Sequence, residues 1–246
     1  MKISRALLLV SIIMIACMHV NAQQLQMDVR DFDNNIQMFD PAKPGAGKGA
    51  IVRYADIEGT PFWNEQWNPA IVYFNNGSKA KINQAKLNLY TNEIHYLNNE
   101  GTELVVENEG ITRLVFLNKN NLSQPLASFA LLVNHNTNRA IGNTIEFYRV
   151  FNAGEYQLIL LQKQLVKTSP YDPLQGKSIV SFYTKKEYAI YHKGQVKGLN
   201  DLDRNSVLSA LPQINNVENW LKQNNSKLKS ETQVIAFLNY YNSLQP

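Results

Sequence analysis

The chain has 246 residues, 24 of them Lys or Arg against 20 Asp or Glu, and a single cysteine, Cys17. Apart from Lys185-Lys186 its lysines are scattered singly, and no basic stripe is interleaved with aromatics, which argues against nucleic-acid binding. One cysteine excludes an internal disulfide and any site built from several thiolates.

Residues 1–22 read as a secretory signal peptide. Lys2 and Arg5 form a short positive region, Ala6 to Cys17 is almost unbroken apolar sequence, and Val20-Asn21-Ala22 supplies small residues before the glutamines that start at Gln23. Cleavage after Ala22 removes Lys2 and Arg5, so the formal charge falls from +4 to +2, and the working chain then has no cysteine. The expected location is the periplasm or the outer-membrane surface. Met14-Ile15-Ala16-Cys17 also resembles a lipobox, which would make Cys17 a lipid-anchored terminus, although Met14 and Met18 depart from the usual pattern. The apolar run is shorter than the roughly 20 residues that span a bilayer, and no later run approaches that length. No transmembrane segment is expected in the mature chain.

Residues 23–49, with Pro41, Pro44 and three glycines, lack periodicity and read as a flexible N-terminal arm. Residues 50–199 change to short apolar runs separated by turn residues. Ala50–Tyr54, Ala70–Phe74, Ala80–Leu89, Glu93–Leu97, Glu103–Glu107 and Ile111–Leu117 are expected strands, with turns at Asn75-Asn76-Gly77, Asn98-Asn99-Glu100-Gly101 and Asn108-Glu109-Gly110. Ser128–Asn134, Ile145–Asn152, Tyr156–Val166, Ser178–Thr184 and Glu187–His192 continue the pattern, with hairpins expected at Asn152-Ala153-Gly154 and Lys185-Lys186. Thr168 to Gly176, with Pro170 and Pro173, reads as a rim or lid loop. These runs predict a mainly β protein: an antiparallel meander forming a curved sheet, sandwich or incomplete barrel. The paired asparagines between the runs read as turn formers rather than sugar ligands.

Residues 200–246 are expected to be short helices packed on the β body. Leu202, Val207, Leu208 and Leu211 suit one helix ending near Pro212, and Ile214, Val217, Trp220 and Leu221 mark a second. Ser230-Glu231-Thr232-Gln233 is a capping box opening a third, with Val234, Ile235, Leu238 and Tyr241 on its apolar stripe.

Two stretches carry a resemblance. Leu89-Tyr90-Thr91-Asn92-Glu93-Ile94 with its following turn, and Trp220 to Glu231 continuing through Asn239-Tyr240-Tyr241-Asn242-Ser243-Leu244, resemble a family of uncharacterised exported β-rich proteins of the Bacteroidota. The likeness covers residues 65–117 and 178–244. It implies a β-rich body with a helical tail and carries over no catalytic residue.

Chemistry-bearing patterns are sparse. His95, His135 and His192 are far apart in sequence and lack metal-ligand spacing. Asp31 to Asn35 fails as a calcium loop, because Ile36 stands where glycine is needed and Ala42 where the bidentate glutamate is needed. Gly45 to Gly49 fails as a phosphate loop, because Ala42 replaces its first glycine and Gly49 its Ser/Thr. No Gly-x-Ser-x-Gly occurs. No cofactor and no metal are expected. Phe62, Trp63, Trp67 and Tyr73 form the densest aromatic segment and are the candidate ligand-binding residues; the alternative is that Trp63 and Trp67 plug one end of the sheet. The leading functional expectation is a non-catalytic envelope protein binding another envelope protein or a glycan. One alternative is a periplasmic carrier holding a lipid in a curved-sheet cavity. A second is a glycan hydrolase using strand carboxylates such as Glu103 and Glu107.

Overall fold

The computed structural model describes residues 57–106, 108–134, 144–171, 173 and 178–245, together with the two-residue strands at 27–28, 36–37 and 51–52. The signal segment with Cys17, most of the arm, Glu107 and His135 lie outside the described residues. The strands are β1 (Met27–Asp28), β2 (Ile36–Gln37), β3 (Ile51–Val52), β4 (Asn68–Phe74), β5 (Lys79–Asn88), β6 (Glu93–Leu97), β7 (Glu103–Val106), β8 (Ile111–Asn118), β9 (Asn121–Asn134), β10 (Thr144–Val150), β11 (Gln157–Thr168), β12 (Val180–His192) and β13 (Gln195–Gly198). Three helices follow: α1 (Arg204–Ser209), α2 (Val217–Gln223) and α3 (Glu231–Ser243).

The protein is mainly antiparallel β with a helical C-terminus. One open sheet runs in the order β1-β7-β6-β5-β4-β8-β9-β10-β11-β12-β13, and β2 pairs with β3 separately. Turn chemistry sets the hairpins. Gly77 and Gly101 take the left-handed conformation (φ 81° and 80°) that turns β4 into β5 and β6 into β7, and the Asn98 side chain accepts from the Glu100 and Thr102 amides.

Two expectations need correction. Lys185-Lys186 is not a hairpin: β12 runs unbroken through both, and the chain turns at Lys193-Gly194, where φ is 45° and 85°. Lysines on an exposed strand had looked like a turn. β9 starts at Asn121 rather than Ser128. Pro125 lies in this added stretch, opposite Leu117 beside an irregularity in the β8–β9 register and beyond the Ser128–Asn134 segment that pairs with β10.

The sheet forks. β10 and β11 pair over only three residues, Tyr148–Val150 against Ile159–Leu161. The tip of the β5–β6 hairpin fills the gap beyond them. Asn92, at φ 61°, donates from Nδ2 to the Ile145 carbonyl and accepts from the Phe147 amide, each at 3.0 Å. The Leu89 carbonyl accepts from the Gln164 amide at 3.2 Å. Lys163 pairs with Glu146 across the fork. The curled path from β5 through β4, β8, β9 and β10 thus returns to its own hairpin. Residues 57–63 add a tie: the Pro61 carbonyl and the Trp63 amide bond to Leu89 and Leu87, while Glu58 bonds to Val180 and Phe182 on β12.

Directly opposed residues share a face of a sheet. Phe129, Arg149, Leu160 and Tyr188 are opposed across successive strands and therefore lie on one face. On the β4–β10 side that face is filled by a core including Val72, Leu87, Ile94, Leu114, Phe116, Phe129 and Phe147. On the β11–β12 side it is covered by the helices, whose Val207, Leu221, Val234, Phe237, Leu238 and Tyr241 cluster with Tyr156, Leu158 and Ile190. A smaller cluster of Tyr148, Ile159, Leu161 and Ala189 lies on the opposite face. The capping box forms at α3: Ser230 Oγ accepts from the Gln233 amide, while the Gln233 side chain accepts from the Lys229 amide, one residue earlier than the reciprocal arrangement requires.

Candidate functional site

The four aromatic candidates do not converge. Trp63 turns into the core, stacked on Phe116 with centroids 5.1 Å apart and edge-on to Phe129 at 5.3 Å. Phe62, its chain neighbour, turns the opposite way and meets the His95 ring edge-to-face at 5.2 Å. Trp67 is half-buried beside it, and the Lys86 ammonium sits 4.8 Å from the Phe62 ring and 4.5 Å from the Trp67 ring. Tyr73, half-buried on β4, lies opposite Lys79 and Arg113, away from the other three.

The polar group under Phe62 was not legible as a unit. His95, only 2% exposed, places Nδ1 3.0 Å from Glu103 Oε1 and Nε2 3.5 Å from Asn88 Nδ2, with Glu93 at 4.0 Å. Asn88 Oδ1 accepts from the Tyr90 and Thr91 amides and so shapes the turn that carries Asn92. Cross-strand pairing of Lys86 with His95 and of Asn88 with Glu93 puts these residues on one face. The shielded imidazole has no open side for a substrate, so the group can fasten β5, β6 and β7 together and position the hairpin tip. Glu103 is engaged with His95. His192 lies elsewhere, stacked on Tyr156 at 4.0 Å with Glu155 3.6 Å away. Among the described residues no three His, Cys, Asp or Glu side chains gather in a metal-holding group.

A second polar contact joins the tail to the sheet. The Tyr188 hydroxyl donates to Glu231 Oε1 at 2.5 Å. Burial, then the hydrogen bond to Glu231 and its charge, push the Tyr188 phenol up to about 12. Arg149 lies between the two halves of the filled face, 4.9 Å from the Phe151 ring and 5.8 Å from the Trp63 ring.

Two grooves open among the described residues. One, of about 520 Å³, runs between the start of β9 and the β10–β11 turn and is lined by Arg113, Leu126, Ser128, Asn152 and Gln157 among others. The other, of about 610 Å³, lies in the helical tail beside Leu211, Ile214, Val217 and Tyr241. The loop expected as a lid is pinned at its base, where the Ser169 amide donates to the Ile179 carbonyl at 2.8 Å and the Ile179 amide to Ser169 Oγ at 2.9 Å. Residues 172 and 174–177 of that loop lie outside the described residues. Among the described residues no helix is long and apolar enough to cross a membrane.

No family model matches the chain, and neither a curated protein nor a solved structure is similar enough to match it.

Proposed function

We propose that this chain is an exported protein of the cell envelope, in the periplasm or at the outer-membrane surface, that acts by binding a macromolecular partner through its outer surface. The charged, apolar and small-residue order of residues 1–22 supports export.

One observation carries the binding reading. The face of the sheet that a carrier would keep open is occupied by the chain's own side chains, Trp63, Phe116, Phe129 and Phe147 on one side and the tail helices on the other. A lipid would need an apolar chamber of roughly 300–1,000 Å³. Among the described residues, the two grooves noted above fall in that size range and lie outside this filled face, and the one at β9 presents Arg113, Ser128, Asn152 and Gln157. With its interior filled, the sheet has its outer surface left for recognition.

Photo-crosslinking from surface positions in intact cells tests the reading. A discrete crosslinked macromolecule is the expected result. Absence of any crosslink overturns the reading, and an equimolar lipid released by organic extraction would put the carrier in its place.

A further inference from the structure

We infer that the edge of β12 between Phe182 and Tyr188 binds an extended, acidic peptide segment by strand addition. The inference rests on the binding-protein reading and names the chemistry of the partner.

The hydrogen-bond parity of β12 shows the open slot. The two-residue turn at Lys193-Gly194 makes His192 and Gln195 a hydrogen-bonded pair, so even-numbered residues of β12 direct their backbone groups toward β13. The Leu199 amide continues this by donating to the Tyr188 carbonyl at 2.8 Å. Odd-numbered residues bond to β11. At the far end the same edge is used again: the Phe182 amide donates to the Glu58 carbonyl and the Glu58 amide to the Val180 carbonyl, each at 2.9 Å. Between these contacts lie Thr184 and Lys186. Their amides and carbonyls point outward with no backbone partner among the described residues.

The chain itself creates this gap. Glu58 forms a single parallel bridge with Ser181, and Gly59 at φ 91° then turns the backbone away toward Pro61. From the other side the chain leaves β13 for α1. Residues 183–187 are all exposed. The slot between Phe182 and Tyr188 spans about 20 Å at roughly 3.3 Å per residue, room for a strand of about five residues. It is flanked at both ends by backbone pairing that the same edge already makes, so its groups are set in ladder geometry.

Charge selects the occupant. Lys185 and Lys186 stand on the open stretch, with Lys163 and Lys167 on the adjoining strand. Lys185 pairs with Glu187 and Lys163 with Glu146, and Glu58 sits at one end of the slot. Lys186 has no carboxylate within ion-pair distance among the described residues, and Lys167 lies 5.9 Å from the Tyr183 ring. A second copy of the chain, pairing antiparallel about the centre of the slot, would set Lys185 against Lys185, which is unfavourable. The same lysines favour a guest strand that carries Asp or Glu.

The test uses the full chain and a fluorescent nonapeptide alternating Val or Thr with Glu, against the same peptide with Lys for Glu. The acidic peptide should bind and the basic one should not, and binding should slow hydrogen exchange at the Thr184 and Lys186 amides. Lys186→Pro removes an outward N–H while the odd-numbered ladder to β11 stays intact, and should weaken binding at least tenfold. Lys186→Glu, an exposed change that leaves the backbone alone, should do the same by charge. No binding at millimolar peptide, unchanged binding in either variant, or protection centred away from residues 183–187 overturns the inference. A partner crosslinked to another surface would remove this edge and leave the binding-protein reading standing.

Discussion

Asn242 satisfies both backbone polar groups of Tyr156 with one carboxamide: Oδ1 accepts from the Tyr156 amide and Nδ2 donates to its carbonyl, each at 2.9 Å. A side chain near the end of α3 therefore does for the start of β11 what a neighbouring strand would do. Asn152 Nδ2 also donates to the Tyr156 carbonyl at 3.0 Å, so Asn242→Ala leaves the Tyr156 amide unpaired and should destabilise the fold by about 1–3 kcal/mol, as measured by denaturant unfolding. Gly154 reports on the same contact. It takes φ 107°, and a Cβ there would lie 2.7 Å from Asn242 Cγ. Gly154→Ala should be destabilising alone and distinctly less so in the Asn242→Ala background.

The fork should depend on Asn92. Asn92→Gly keeps the left-handed backbone accessible and deletes both bonds to β10. A loss of about 1–2 kcal/mol is expected, with faster hydrogen exchange at the Phe147 amide. Unchanged exchange at Phe147 would show that the hairpin tip does not hold the fork.

The tryptophans should separate core from margin. Trp63→Ala removes a ring packed on Phe116 and Phe129 and should lose about 3 kcal/mol or more. Trp220 is half-buried, stacked on Tyr240 at 5.2 Å, so Trp220→Ala should lose about 1–2 kcal/mol. Thermal unfolding of the two variants checks the order.

Stability should fall at alkaline pH. Tyr188 is pushed up to about 12 first by burial and then by Glu231; Tyr148 by burial and then by the charges of Glu146 and Glu187; Tyr241 by burial and then by Tyr156. An unfolded phenol ionises near 10, so above that pH the unfolded chain binds fewer protons than the native one and unfolding becomes more favourable. The contribution is complete below pH 10 and is lost as the pH rises toward about 12. Denaturant unfolding across this range should show the decline, and Tyr188→Phe should flatten part of it.

What the sequence made legible was local. Gly and Asn turns marked the β4–β5, β6–β7 and β10–β11 hairpins, Ser230 and Gln233 marked the start of α3, and the stripe of Val234, Leu238 and Tyr241 proved buried. Phe237, equally buried, escaped the pattern because α3 is apolar over a wider arc than one stripe. Strand pairing order was not legible, since β8 returns to sit beside β4 rather than β7. The Phe62 and Trp63 neighbours showed as one aromatic segment, yet alternation along an extended chain sends them to opposite sides. The His95 group was hidden for a similar reason: Asn88, His95 and Glu103 come from three strands whose register only the folded sheet defines.

The bridge between Glu58 and Ser181 joins residues 123 positions apart (181 − 58). Synthesis delivers the chain from its N-terminus, so the tie at 57–63 has no partner on β12 until most of the body has emerged. The order of emergence therefore leaves β4 to β9 able to pair early while Glu58 lacks its partners on β12. Closing so long a loop carries an entropic cost that local hairpins avoid. The last contacts to form in this protein are thus expected to involve the first residues of its body, and truncation just after β11 should yield a collapsed but unfastened intermediate.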